Sequence, residues 1–268
     1  MPFSLLGLLN ALSRKDPRSR RLARGVPYGP NSRQQLDIYG PIGLPDPRPV
    51  LFFVYGGSWV EGDRHGYGFA GRMLAGLGYV TVISDYRVLP EVEYPGFLED
   101  NDAALAWVAD AISAYGGDAS RIALIGHSAG AYNAVMLALV PRYLVGLRER
   151  VKAVIGLSGP YDFFPFDVPI SLRAFGAVRD PKSTQPVNLV TASAPPMFLA
   201  SGDGDKLVYP RNTAALARAL REAGVAVEEQ HYAELGHPGP LLELGSLLGG
   251  RASLSADLAR YLRAALGG

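Results

Sequence analysis

The chain has 268 residues, and its 26 Lys and Arg against 25 Asp and Glu leave a formal net charge of +1. This balance argues against a dedicated nucleic-acid-binding protein, whose surface carries a basic excess that neutralises phosphates. Apolar residues make up 48% of the chain and charged residues 19%, which excludes intrinsic disorder and allows a large core. Because cysteine is absent, disulfides, a thiolate nucleophile and cysteine-ligated metal sites are excluded.

The N-terminal segment joins an apolar stretch, residues 3–12, to six basic residues and one acid within residues 14–24. No basic residue precedes the apolar stretch and no small-residue cleavage site follows it, so we expect no secretory signal peptide and a cytoplasmic location. Two interpretations of the segment are open: a short helix packed against the domain with a solvated basic tail, which we favour, and weak contact with an anionic membrane surface.

Apolar runs typical of buried strands alternate with helical patterns through most of the chain, which predicts an α/β fold with a mostly parallel sheet and helices on both faces. The alternating stretch 35–39 predicts an earlier, half-exposed edge strand. Buried strands are predicted at 50–55, 80–83, 122–125, 151–157 and 196–199, with another strand around 225–231. Helices are predicted at 67–77, 97–115, 129–140, 211–223 and 255–266.

The alternation of helix and strand breaks between residues 160 and 195, where Phe163, Phe164 and Phe166 are scattered among prolines. An irregular stretch of this length inside a compact domain is usually functional, so a short lid is expected here. No repeat and no linker divides the chain. We therefore expect residues 1–268 to form one domain that begins with a helical and basic segment, residues 1–25.

A Gly-His-Ser-Ala-Gly sequence at residues 126–130 stands between a predicted strand and a predicted helix, the setting of a nucleophile elbow. A serine on such a strained turn needs glycine two positions before and after it to avoid backbone collisions. The following helix N-terminus presents main-chain N–H groups beside Ser128, where negative charge develops in acyl transfer. The alternative is a plain strand–turn–helix connection with an N-capping serine.

A serine nucleophile needs an imidazole to accept its proton and a carboxylate to orient that imidazole. Of the four histidines, His65 lies in a glycine-rich loop, His127 in the elbow itself and His231 within a predicted strand. His237 follows that strand, at the sheet edge where catalytic groups of open α/β folds gather. His237 is therefore predicted to be the general base.

Together these segments resemble the α/β-hydrolase superfamily and, within it, esterases of the hormone-sensitive-lipase-like and feruloyl-esterase-like groups. The resemblance covers roughly residues 35–266, apart from the expected lid, and implies an α/β-hydrolase fold. Besides the elbow, it is carried by Val-Tyr-Gly-Gly-Ser-Trp at 54–59, Ser-Asp-Tyr-Arg at 84–87 and Tyr-Gly-Gly-Asp-Ala-Ser-Arg-Ile at 115–122.

The resemblance also implies an oxyanion hole made by the main-chain N–H groups of Gly57, Ser58 and Ala129. The family usually has histidine at the position of Tyr55. That histidine orients the loop and transfers no proton, so its replacement bears on loop geometry more than on the reaction.

The family's Gly-x-x-Asp-x-x-Val segment matches residues 202–208 and places the acid at Asp205. Asp203 is the alternative, and we expect it to shape the turn by bonding to the backbone. The chain order Ser128, Asp205, His237 agrees with the order expected of this fold.

The expected enzyme is a carboxylic ester hydrolase that acts on small to mid-sized esters through an acyl-enzyme on Ser128, without metal or organic cofactor. Trp59, His127, Phe163 and Phe164 are predicted to contact the substrate, although Trp59 is as readily explained as core. The alternatives are a kynurenine-formamidase-like amidase, a prenylcysteine-type methylesterase and a non-catalytic binding module. No oligomeric state is predicted.

Overall fold

A single sheet organises the protein, whose structure is a computed structural model that describes residues 16–45, 47–244 and 254–267. Within these residues eight strands lie in the order β1-β2-β4-β3-β5-β6-β7-β8. They are β1 (Ser19–Pro27), β2 (Gln35–Pro41), β3 (Arg48–Val54), β4 (Val80–Ser84), β5 (Gly117–His127), β6 (Val151–Leu157), β7 (Met197–Gly202) and β8 (Val227–Tyr232). The pairs β1–β2 and β2–β4 are antiparallel, and the other five pairs are parallel. The predicted mostly parallel sheet is therefore confirmed.

The α-helices connect these strands or follow them. They are α1 (Gly68–Gly76), α2 (Gly96–Ala111), α3 (Ala129–Leu139), α4 (Pro169–Phe175), α5 (Arg211–Glu222), α6 (Gly239–Glu243) and α7 (Leu254–Leu266). Over the stretches that the structure describes, none of the helices combines the length and the apolar character needed to cross a bilayer.

Helix α3 lies at the centre of the molecule, because all of its residues are buried. It packs on β3, β5 and β6, whose own residues are mostly buried. A helix that is apolar on every side needs such full enclosure. The start of α3, where the elbow serine stands, is therefore held rigidly by surrounding core.

The structure corrects two expectations about the first part of the chain. Residues 19–25 are not part of a helical and basic tail, because they belong to β1, which pairs with β2 from Ser19 opposite Pro41 to Pro27 opposite Gln35. The strand predicted at 35–39 is consequently not an edge strand. It lies between β1 and β4, and its central residues are buried. Residues 1–15, which contain the apolar stretch, lie outside the described residues.

The polar residue that made β2 look half-exposed, Asp37, is buried with a cationic partner. Arg64 donates from Nε to the Asp37 carboxylate at 2.9 Å, and its Nη1 pairs with the buried Asp85. The Arg64 main-chain N–H also donates to Asp85, at 2.6 Å. One buried guanidinium thus pairs with two buried carboxylates, Arg21 adds a second cation 3.5 Å from Asp37, and the Arg64 contacts tie β2 to the loops after β3 and β4.

Replacing Arg64 by methionine is expected to lower the free energy of unfolding by about 3–5 kcal/mol, because among the described residues Asp85 loses its cationic partner and Asp37 keeps only the more distant, half-exposed Arg21. The matched control is Arg221→Met, since Arg221 pairs with Glu229 through a side chain that is 53% exposed. That variant should lose about 1 kcal/mol or less. Urea unfolding of both variants measures the difference, and similar losses would contradict the role given to Arg64.

Candidate active site

The turn between β5 and α3 has the geometry of a nucleophile elbow. Ser128 has φ 55° and ψ −125°, a conformation that residues other than glycine rarely adopt. A Cβ atom at Gly126 would collide with the Gly130 carbonyl, and one at Gly130 would collide with the Val54 carbonyl. Ser128 makes no side-chain capping bond to α3, which disfavours the N-cap interpretation. The strained turn instead leaves its hydroxyl for another partner.

That partner is His237, which lies in the loop after β8. Its Nε2 is 2.9 Å from Ser128 Oγ, and its Nδ1 is 2.8 Å from Asp205 Oδ2. The three side chains come from the carboxyl ends of β5, β7 and β8, which the parallel sheet places on one edge. The structure therefore brings together Ser128, Asp205 and His237, as predicted, in one hydrogen-bonded chain.

Asp205 is placed to remain ionised beside His237. Burial by itself would raise the pKa of Asp205, but the hydrogen bond from His237 and those from the main-chain N–H groups of Val208 and Leu207 outweigh it, so its pKa is lowered. The two main-chain bonds are 2.8 and 2.9 Å long. Asp203, the alternative acid, is half-exposed and faces His231 instead.

A second serine–histidine–carboxylate cluster lies nearby on β7 and β8. His231 Nδ1 is 3.1 Å from Ser201 Oγ, and His231 Nε2 is 2.9 Å from Glu229. Ser201 is only 1% exposed, so a substrate cannot reach its hydroxyl. This cluster has the composition of a triad without its access, and it provides a matched control for experiments on Ser128.

A cavity of about 490 Å³ opens over Ser128 and His237. Its apolar wall is formed by Tyr67, Leu207, Leu241 and Leu242, and its polar lining includes Gly57, Ser58, Glu61, Asp63 and His127. Sequence reasoning missed the three leucines. The sequence offered one indication of them, their closeness to the predicted catalytic residues. Leu207 stands two residues after Asp205, and the Leu241–Leu242 pair follows His237 in α6.

The loop after β3 presses directly on the elbow. A Cβ at Gly56 would lie 2.9 Å from the His127 carbonyl oxygen and 3.0 Å from Ser128 Cβ. Gly57 has φ 131° and Ser58 has φ 52°. Within the described part of the chain, no group accepts a hydrogen bond from the main-chain N–H of Gly57, Ser58 or Ala129. These three amides are thus free to bind an oxygen of a ligand.

Three predicted substrate contacts lie elsewhere. Trp59 is 4% exposed and donates from Nε1 to Asn133 at 3.1 Å, within an aromatic cluster formed with Phe97, Tyr132, Phe163 and Phe175. Phe164 is 43% exposed and packs on Phe166. Of the four predicted contacts, only His127 lines the cavity.

The aromatic rings bury more surface against one another than they would beside a solvent-open cavity. The segment 160–195, all of it described, contains α4 and contributes no residue to the cavity wall. It therefore does not cover the cavity as the lid that the sequence predicted.

Comparison with known proteins agrees with this geometry. The sequence model of the BD-FAE family matches residues 36–220. The chain belongs to the BD-FAE family. The esterase LipC of Mycobacterium tuberculosis is 32% identical to it over 246 residues, which are 82% of this chain and 60% of that protein. A probable isoprenylcysteine alpha-carbonyl methylesterase of Oryza sativa, ICMEL1, is 29% identical over 270 residues, 90% of this chain and 62% of that protein.

The chain thus spans about 60% of the length of these curated relatives. The solved structure of inhibited esterase B from Lactobacillus rhamnosis superposes with a TM-score of 0.83 at 19% identity, covering 97% of this chain and 91% of that one. This likeness confirms the α/β-hydrolase fold.

Tyr55, which stands where the sequence resemblance implied a histidine, anchors the base of the glycine loop in this BD-FAE chain. Its hydroxyl donates to Asp85 at 3.0 Å and accepts from Arg33 at 3.2 Å. The same Arg33 nitrogen donates to the Gly62 carbonyl at 2.6 Å, at the far end of the loop. Burial raises the pKa of Tyr55 well above its usual value, so the phenol stays neutral. Both ends of the loop are therefore joined through one phenol and one guanidinium.

Replacing Gly130 by alanine is expected to cost about 3 kcal/mol or more in the free energy of unfolding, because the added methyl meets two rigid carbonyls of β3 and its loop. Gly236→Ala is the control, since the nearest atom to its Cβ would be 3.8 Å away. That variant should stay within about 1 kcal/mol of the parent protein. Urea unfolding compares the two, and equal stabilities would show that the close approach is not needed.

Proposed function

We propose that the protein is a serine carboxylesterase that hydrolyses small to mid-sized esters through an acyl-enzyme on Ser128. The observation that carries this proposal is the unbroken hydrogen-bonded chain from Ser128 through His237 to Asp205 at the floor of an open cavity. Membership of the BD-FAE family and the esterase names of the relatives support the same reaction class.

The ionised Asp205 can only accept a hydrogen bond, so His237 donates to it from Nδ1 and accepts from Ser128 at Nε2. Acylation follows from this direction. Ser128 Oγ attacks the ester carbonyl carbon while His237 Nε2 accepts the hydroxyl proton, and the Asp205 carboxylate stabilises the imidazolium that forms. The carbonyl oxygen becomes an oxyanion held by the amides of Gly57, Ser58 and Ala129. His237 then gives the proton to the departing alcohol oxygen, which leaves an ester of Ser128.

Deacylation repeats the same steps with water as the nucleophile. His237 takes a proton from a water molecule that attacks the acyl carbon, and the same amides hold the second oxyanion. Collapse of this intermediate returns the proton to Ser128 Oγ and releases the acid.

Across the described residues, no group of three or more His, Asp and Glu is arranged to hold a metal ion.

Cavity size and lining support the substrate class. A volume of about 490 Å³ lies in the lower half of the usual range for small-molecule sites, roughly 300–1,000 Å³. The leucines at 207, 241 and 242 favour apolar acyl or alcohol groups. A methyl ester of a bulky apolar acid is the second candidate, because a relative of this chain is named a methylesterase.

The other parts of the functional prediction rest on the sequence. Cytoplasmic location and weak contact of the N-terminal segment with an anionic membrane stay predictions. The formamidase and the non-catalytic module are outcomes of the activity test. Faster cleavage of N-formylkynurenine than of butyrate esters would select the first, and absence of covalent labelling by a fluorophosphonate would select the second.

Ser128→Ala is expected to lower kcat/KM for p-nitrophenyl butyrate by at least about 10⁴-fold and to abolish fluorophosphonate labelling, because it removes the nucleophile. Ser201→Ala is the matched control, since Ser201 also bonds to a histidine but is buried. It should retain labelling and activity within about threefold. Activity that survives in Ser128→Ala would reject the mechanism.

Asp205→Asn is expected to lower kcat by about 10³- to 10⁴-fold, because the amide no longer holds the neutral imidazole in the required tautomer and carries no charge to stabilise the imidazolium. Asp203→Asn, two residues away and facing His231, should change kcat by less than about threefold. Steady-state kinetics on the same ester compare them. A larger loss from Asp203→Asn would reassign the acid.

A further inference from the structure

The side chain of His127 contacts the main chain of the proposed general base, His237. The mechanism proposed above gives this contact no role. The residue is 5% exposed, and its Nε2 lies 3.0 Å from the main-chain carbonyl oxygen of His237. A carbonyl oxygen can only accept, so Nε2 must carry the proton. Nδ1 is then the unprotonated nitrogen, in agreement with its having no hydrogen-bond partner among the described residues.

The surroundings of His127 keep it in this neutral form. Burial, with the neighbouring His237 as the second cause, lowers the pKa of His127 to about 4, against small opposing effects of the His237 carbonyl and Asp205. The ring centroids of His127 and His237 are 5.1 Å apart. A cationic His127 would therefore oppose the imidazolium that His237 becomes during the reaction, and a neutral one does not.

The loop that carries His237 has few other restraints at that residue. The main chain is held on either side, where Leu235 donates to Tyr232 and accepts from Gly204 of the loop after β7, and Gly239 donates to Gly236. Only His127 bonds to the carbonyl of residue 237 among the described residues. Since His127 is the neighbour of Ser128, the turn that presents the nucleophile also holds the main chain of the base.

We propose that His127 is a positioning residue for the general base: its Nε2–H holds the His237 carbonyl and keeps the imidazole between Ser128 and Asp205. The proposal rests on the esterase function proposed above. This role of His127 does not depend on contact with the substrate. In the acyl-enzyme, Ser128 Oγ is esterified and has no proton to donate, so the contact from Ser128 to His237 is lost. Asp205 and His127 then hold the base while it activates water.

Two variants separate this role from simple packing. In His127→Gln the side-chain amide can place an N–H near the position of Nε2, whereas His127→Met has similar length and no donor. We expect His127→Met to lower kcat for p-nitrophenyl butyrate by about 10- to 100-fold, from misplacement of the base. KM should change by less than about threefold, and His127→Gln should restore kcat to within about threefold of the parent protein.

Pre-steady-state kinetics locate the defect. If His127 holds the base in the acyl-enzyme, His127→Met should slow deacylation at least as much as acylation, so that a burst of p-nitrophenol persists or grows. Urea unfolding confirms that both variants are folded under the assay conditions. Wild-type kcat in His127→Met, or a glutamine variant no better than the methionine variant, would overturn the proposal.

A measurement on the unaltered protein tests the proposal without relying on a folded variant. Nitrogen-15 spectra of labelled histidines should show His127 protonated at Nε2 alone between pH values of about 5 and 8. Protonation at Nδ1 alone, or on both nitrogens, would overturn the inference. If instead the wild-type protein turns over no ester and Ser128 takes no fluorophosphonate, the proposed function itself fails, and this spectrum still reports on His127.

Discussion

The rest of the site depends on a steric constraint, the close approach of the start of α3 to the end of β3. Gly130 lies under the carbonyls of Val54 and Tyr55 so tightly that no side chain fits between them. The glycine loop that continues from β3 is thereby pressed against Ser128, and the amides of that loop reach the cavity over the serine hydroxyl. Full burial of α3 makes this contact rigid, because a close-packed interior does not yield to small displacements.

Charge is distributed differently on the two sides of the serine. Beneath the glycine loop, Arg64 and Arg33 join buried carboxylates, a phenol and main-chain carbonyls into one network. Such burial of charge is tolerated only where each group is paired. On the side of the base, the only buried carboxylate of the hydrogen-bonded chain is Asp205, and the loop of His237 depends on main-chain bonds and on one neutral histidine. The amides of the glycine loop are thus held by more polar contacts than His237, which lies on the other side of the serine.

The parts of the site that could be predicted are those whose chemistry requires a particular residue at a particular local spacing. Gly126 and Gly130 are required by backbone collisions around Ser128, and His237 and Asp205 follow strands that end at one edge of the sheet. Helix and strand periods likewise predicted the alternating elements and the parallel centre of the sheet. The place of Asp37 could not be predicted in this way, because its partner Arg64 is distant in sequence and local alternation made β2 look half-exposed.

The sequence by itself predicted the fold class, the elbow, and the chain order of the proposed nucleophile, acid and base. Local periodicity and the spacing of the elbow glycines carry the first two, and the resemblance to a known family carries the acid. Only the tertiary structure decided which aromatic residues form core, which leucines line the cavity, and that His127 holds the carbonyl of His237. Trp59 shows the reason. An aromatic side chain after a glycine turn is equally suited to a core and to a cavity wall, and its neighbours, chiefly Tyr132 and Phe175, come from elements that only folding brings together.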